Sequence, residues 1–121
     1  MKFSVKWGDY MLPDSASAIN RFAGSVKEIF GSNYNRMIIY GSYARGDFHE
    51  KSDIDIMILV DIPEDYIWRY ESTVYDLAYD IMMDTGIDIS PVIKNIDQFS
   101  YWSDTLPYYR NINKEGVVFS A

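Results

Sequence analysis

The sequence predicts an α/β (α+β) chain, one small domain in which amphipathic helices alternate with short apolar strands. Two observations carry this. Segments with apolar residues three and four apart alternate with segments whose apolar residues are contiguous or two apart. A chain of 121 residues, 48% hydrophobic and 24% charged, also has material for one core and none for a second. No repeat, low-complexity tract or Gly/Ser linker divides it, so residues 1–121 read as a single domain, a leader over 1–13 preceding a core over 14–121.

The elements follow in order. Asp14 or Ser15 caps a helix whose residues Ile19, Phe22, Ala23, Val26, Ile29 and Phe30 share a face, and Gly31 ends it. Met37-Ile38-Ile39-Tyr40, halted by Gly41-Ser42, reads as a buried strand running into a tight turn. A second strand has Ile54, Ile56, Ile58 and Val60 on one face and Asp53, Asp55, Met57 and Leu59 on the other. Pro63 and Glu64 open a long helix to about Thr85, before Gly86. Its two stripes, one through Ile67, Tyr70, Val74, Leu77, Ala78 and Ile81 and one through Trp68, Tyr75, Tyr79 and Met82, together span roughly 200° of the helical wheel. That is more than one core-facing stripe needs, so one of them is a candidate partner surface. Ile87 to Lys94 is a third strand, placed at an edge or bulge by Pro91. A short helix over Pro107 to Glu115, stopped by Gly116, precedes a closing strand Val117-Val118-Phe119.

Composition excludes several function classes. Eighteen acidic against eleven basic residues give a net charge of −7, which repels a phosphate backbone and argues against direct nucleic-acid binding. The absence of cysteine excludes a disulfide framework, a thiolate zinc site and a cysteine nucleophile, and a Ser-His-Asp triad would rest entirely on His49. The N-terminus lacks the apolar stretch of a signal peptide, and no apolar run approaches the roughly 18 residues of a membrane span. The expectation is a cytoplasmic protein with no membrane partner.

Chemistry concentrates in Gly41-Ser42-Tyr43-Ala44-Arg45-Gly46-Asp47 and in Ser52-Asp53-Ile54-Asp55. On a strand, residues two apart project to one face about 7 Å from each other, so both carboxylates reach common cations. At an effective dielectric of about 20 two such charges repel by roughly 2.4 kcal/mol, a cost that a divalent metal relieves. Oxygen-only ligands favour Mg²⁺ or Mn²⁺ over zinc. A strand ending in glycine and serine exposes backbone N–H groups and a hydroxyl, which suits a phosphate chain. Metals beside a phosphate cradle imply a nucleoside triphosphate. Asp88, in Ile87-Asp88-Ile89, offers a third carboxylate, to complete a metal pair or to take a proton from an attacking hydroxyl.

Gly41-Ser42, the ten residues Tyr43 to Ser52, and Asp53-Ile54-Asp55 resemble the GS-x10-DxD signature of the minimal nucleotidyltransferases in the DNA polymerase beta superfamily. The local sequence also looks like that family's GSxARGD…SDID consensus, Asp88 sits where its third aspartate is expected, and the tail Pro107 to Phe119 is similar to its ending. The chain departs from the pattern at Tyr40, often aliphatic or Phe, and in its leader. The resemblance implies a small mixed sheet with helices packed on one face, and two-metal transfer of a nucleoside monophosphate from an NTP with release of pyrophosphate. By the same resemblance Asp53, Asp55 and Asp88 are the catalytic and metal-binding residues for two Mg²⁺ (or Mn²⁺) ions, and Gly41 and Ser42 hold the triphosphate of ATP. Many such stand-alone proteins are the antitoxin half of HEPN/MNT toxin-antitoxin pairs and adenylylate a tyrosine of the HEPN ribonuclease. That implies a hetero-oligomer with a HEPN-domain partner. Two alternatives stand beside it: a non-catalytic antitoxin or nucleotide-binding module acting by contact alone, and nucleotidyl transfer to a small molecule such as an aminoglycoside.

Other residues have plainer readings. Arg45 either contacts a phosphate or bridges a loop carboxylate. His49 reads as solvated and Asp47 as a capping or loop residue. Of the twenty aromatics, Trp68, Tyr75, Tyr79, Tyr101, Trp102, Tyr108 and Tyr109 exceed what so small a core can bury, which points to an interface.

Overall fold

In a computed structural model of the chain, the described residues are 2–5, 13–41, 44 and 53–119. Five strands form one mixed sheet: β1 (Lys2–Val5), β2 (Tyr34–Tyr40), β3 (Ile54–Val60), β4 (Ile89–Asn95) and β5 (Val117–Phe119), in the order β1-β5-β2-β3-β4. The β2–β3 and β2–β5 pairs are antiparallel, whereas β3–β4 and β1–β5 are parallel. Parallel neighbours need a crossover, and β3 reaches β4 through α2 (Trp68–Thr85).

Strand alternation sorts two cores. Ile54, Ile56, Ile58 and Val60 of β3, with Met37 and Ile39 of β2, pack under α1 (Pro13–Phe30) through Ile19, Phe22 and Val26, and under α2 through Val74, Ala78 and Ile81. The intervening residues Ile38, Met57 and Leu59 face the other way, against Phe99 of α3 (Ile96–Trp102) and Ile112 of α4 (Pro107–Glu115). The two long helices therefore share one face, as expected, and the two short ones add a cover on the opposite face. Buried on both sides, β3 reads as an almost unbroken apolar run.

Boundaries follow local chemistry. Helix α1 starts at Pro13, whose fixed φ and missing N–H suit a first helical position. The long helix expected from Pro63 begins instead as a 3-10 turn over Glu64–Tyr66 before α2. Glu64 is held to β4 there, accepting hydrogen bonds from Lys94 Nζ at 3.3 Å and from the Asn95 backbone N–H at 3.0 Å. Gly86 ends α2 at φ 77° and donates to the Met82 carbonyl at 2.8 Å. Pro91 lies on β4, an edge strand, where a missing donor is tolerated.

Two elements differ from the expectation. Lys2–Val5, within the presumed leader, forms the other edge of the sheet beside β5. Helix α3 is additional, and its start is capped by Asn95, whose side chain accepts from the Gln98 backbone N–H at 3.0 Å. Among the described residues no helix is long and apolar enough to cross a membrane.

Candidate active site

The site builds from the N-terminal end of β3. The alternation that sends Met57 and Leu59 toward α3 and α4 gives Asp55 the same face, opposite its cross-strand neighbour Tyr40. Gly41 follows Tyr40 with φ 75°, the left-handed region that glycine enters without a Cβ penalty. A Cβ there would stand 2.5 Å from Asp55 Oδ2. Glycine alone lets the chain turn directly against this half-buried carboxylate.

Asp88 arrives from the link between α2 and β4. The parallel register pairs Ile54 with Ile89, and the Ile54 N–H donates to the Asp88 carbonyl at 2.9 Å. Asp53 and Asp88, each one residue before its strand begins, therefore adjoin. Both are exposed. Desolvation first, then the Asp53 charge and a hydrogen bond from the protonated Asp88 carboxyl to Asp53, raise the Asp88 pKa above its ordinary 3.8. The folded chain thus holds this proton more tightly than the unfolded one. The associated stability is present below the ordinary value and is lost as pH rises through the raised one. In Asp53→Asn the Asp88 carboxyl titrates at lower pH than in the wild type, a shift that ¹³C NMR of the side-chain carboxyl measures; an unmoved titration would refute the coupling.

Two clefts flank these carboxylates. One, of about 150 Å³, lies between Tyr40 and Gly41 on one side and Tyr108, Asn111, Ile112 and Glu115 of α4 on the other. The Tyr40 and Tyr108 hydroxyls are 3.1 Å apart with their rings edge to face. Burial first, then the Tyr108 hydrogen bond and the neighbouring Tyr108 and Asp55 charges, push the Tyr40 pKa far up, so it stays a neutral phenol. The departure at Tyr40 thus has a partner in α4. The other cleft, of about 450 Å³, has Asp53, Asp88 and residues 89–91 on one wall and Tyr75, Ala78, Tyr79 and Met82 of α2 on the other.

Of the residues singled out in the sequence, the fold brings Gly41 against Asp55 and Asp53 against Asp88. Ser42 and Arg45, like Asp47 and His49, lie outside the described residues. Ala44 is described, and it is buried in the core under α1 and α2. Among the described residues no group of three or more His, Cys, Asp or Glu side chains is gathered for a metal ion. Part of the aromatic surplus packs together: Trp102 and Tyr109 form a tilted pair at 5.3 Å, with Phe99 and Tyr108 edge-on to Tyr109. Trp68, Tyr75, Tyr79, Tyr101 and Tyr108 itself are exposed. Sequence reading did not name Tyr40 and Tyr108 as walls of the Gly41 cleft. The available signal was that Tyr40 shares strand parity with Ile38 rather than with Met37 and Ile39.

A mixed sheet that presents carboxylates from two parallel neighbours beside a glycine turn matches a known family. The nucleotidyltransferase domain profile matches residues 19–115, and the chain belongs to this family. Two relatives from Methanocaldococcus jannaschii, each named "Putative protein adenylyltransferase", are similar to it. One is 34% identical over 104 residues, covering 84% of this chain and 93% of the relative; the second is 39% identical over 80 residues, covering 62% and 74%. Two solved structures share the fold. The crystal structure of a toxin-antitoxin with AMP-PNP has a TM-score of 0.53 at 21% identity, covering 88% of this chain and 72% of that one. A "putative nucleotidyltransferase" from Sulfolobus solfataricus has a TM-score of 0.53 at 22% identity, covering 90% and 88%.

Proposed function

We propose that this nucleotidyltransferase moves AMP from ATP to a side-chain hydroxyl, a tyrosine, of a HEPN-domain toxin, and so acts as its antitoxin. The observation that carries the reading is the contact of Gly41 with Asp55 beside the Asp53–Asp88 pair. One glycine turn and three carboxylates are brought to one end of the sheet from three separate stretches of chain. The relatives named as protein adenylyltransferases and the fold shared with a toxin-antitoxin support it.

The donor set suits Mg²⁺ or Mn²⁺: Asp53, Asp55 and Asp88 offer only oxygen, and a cation relieves the repulsion between Asp53 and Asp88. Mg²⁺ is held in many proteins by one or two carboxylates together with substrate phosphates, so these carboxylates with a triphosphate are a sufficient set. Divalent ions bound there would neutralise phosphate charge and align the triphosphate for in-line displacement. Gly41 admits the triphosphate close to the backbone, and Asp53 and Asp55 would hold the cations that offset its charge. The acceptor oxygen bonds to the α-phosphorus while the bond from that phosphorus to the oxygen bridging to the β-phosphorus breaks. Pyrophosphate departs with the electron pair, and the acceptor proton passes to Asp88. In the metal-free chain desolvation first, and then the Asp53 charge, raise the Asp88 pKa.

The test is the intact mass of the co-expressed helical partner after incubation with this protein, ATP and Mg²⁺. Whole AMP units appear with the wild type and not with Asp53→Ala/Asp55→Ala. A partner that binds but gains no mass with any NTP would replace this reading with neutralisation by contact alone.

A further inference from the structure

The cleft between α2 and the start of β4 has a composition that the transfer reading leaves unused. Among the described residues Asp53 and Asp88 are its charged lining, and apart from Ser90 the remaining wall is aromatic or apolar, chiefly Tyr75, Tyr79 and Met82. The apolar lining continues onto the open face of α2. Trp68, Tyr75, Tyr79 and Met83 are 65%, 46%, 57% and 64% exposed, and their spacing of seven, four and four puts them on one stripe. The next row is acidic. Asp76 and Asp80 have no ion-pair partner among the described residues, while Asp84, a turn further on, pairs with Arg21 at 2.9 Å. The basic side chain at the other end of the stripe, Arg69, is taken up by the Tyr66 and Trp68 rings, at 4.6 and 5.7 Å.

We propose that this cleft receives the acceptor, and that it selects a protein segment in which the hydroxyl-bearing residue is flanked by lysine or arginine and by apolar side chains. The assignment rests on the nucleotidyl-transfer reading and adds to it the acceptor's position and class. A side chain entering here meets Asp88 and Asp53, while the Gly41 turn and its own cleft lie on the other side of β3, toward α4. Two substrates can then approach the carboxylates from different sides. The aromatic wall favours apolar contact and stacking with cations, and the carboxylates with their acidic row favour basic flanks. A second copy of this chain does not fit, because the net charge is −7 and pairing would set Asp76 and Asp80 against their own kind.

The probes are two synthetic peptides with a single tyrosine in the same leucine-containing frame, one flanked by lysines and one by glutamates. Their binding to the full chain is measured with Mg²⁺ and α,β-methylene ATP, whose α–β bridge resists transfer. The lysine peptide binds at least ten-fold tighter than the glutamate peptide, and the difference shrinks as salt rises. Tyr75→Ala/Tyr79→Ala, both exposed and checked for an unchanged melting temperature, weakens the lysine peptide at least ten-fold and leaves the nucleotide's affinity within two-fold. Equal binding of the two peptides, no binding of either, or an unaltered double variant overturns the assignment. With ATP itself, a lysine peptide bound through Tyr75 and Tyr79 that never gains AMP supports the cleft and contradicts the transfer reading. Transfer to a peptide whose binding ignores both tyrosines does the reverse.

Discussion

Asp53→Asn and Asp55→Asn each lower nucleotidyl transfer at least about 1,000-fold, and the double variant is hardly worse than either alone. Both substitutions keep size and shape and remove one negative charge where the triphosphate and its cations must be held. The carboxylates act as a unit: once one is neutral, the other no longer forms the site, so the losses do not add. Stability does not follow activity. Asp53 is exposed and adds repulsion toward Asp88, so Asp53→Asn melts at or above the wild-type temperature in the metal-free protein. Initial rates with thermal unfolding of the same preparations check both halves. An Asp53→Asn protein with rates within ten-fold of wild type would remove this residue from the site.

Gly41→Ala combines a backbone cost with a steric one. At φ 75° an L-residue pays about 1–2 kcal/mol relative to glycine, and its Cβ lies 2.5 Å from Asp55 Oδ2, so the carboxylate must shift. Displacement of a positioned group by about 1 Å costs roughly 100-fold in rate. Transfer therefore falls by about that factor, with a stability loss of about 1–2 kcal/mol in urea unfolding. Gly41→Ala at wild-type rate would show that the turn does not position Asp55.

Much of this arrangement is legible in the sequence because it depends on short-range periodicity. The alternation from Asp53 to Val60 assigns each side chain to a face, and the structure puts Ile54, Ile56 and Ile58 in one core and Met57 and Leu59 in the other. The wide apolar arc on α2 likewise reappears as a buried stripe through Val74, Ala78 and Ile81 and an exposed one through Trp68, Tyr75 and Tyr79. What escaped local reading is long-range. Lys2–Val5 pairs with Val117–Phe119 across almost the whole chain, and four strand residues carry no periodic signal strong enough to announce it. Helix α3 is only seven residues long, although Asn95 followed three residues later by Gln98 is a capping signature that could have marked its start. The Tyr40–Tyr108 contact joins residues 68 apart and depends on how α4 folds back over the sheet. The Asp53–Asp88 contact depends on the β3–β4 register, which the residue types at the two positions do not encode.

The most direct measurement of the central claim follows where label goes from ATP. The wild-type protein, Mg²⁺ and the co-expressed partner are incubated in parallel with ATP labelled at the α-phosphorus and ATP labelled at the γ-phosphorus. Nucleotidyl transfer places the α label on the partner and releases the γ label as pyrophosphate, and Asp53→Asn abolishes both. Label from the γ position on the partner, or α label that persists in Asp53→Asn, would contradict a nucleotidyl-transfer site built on these carboxylates.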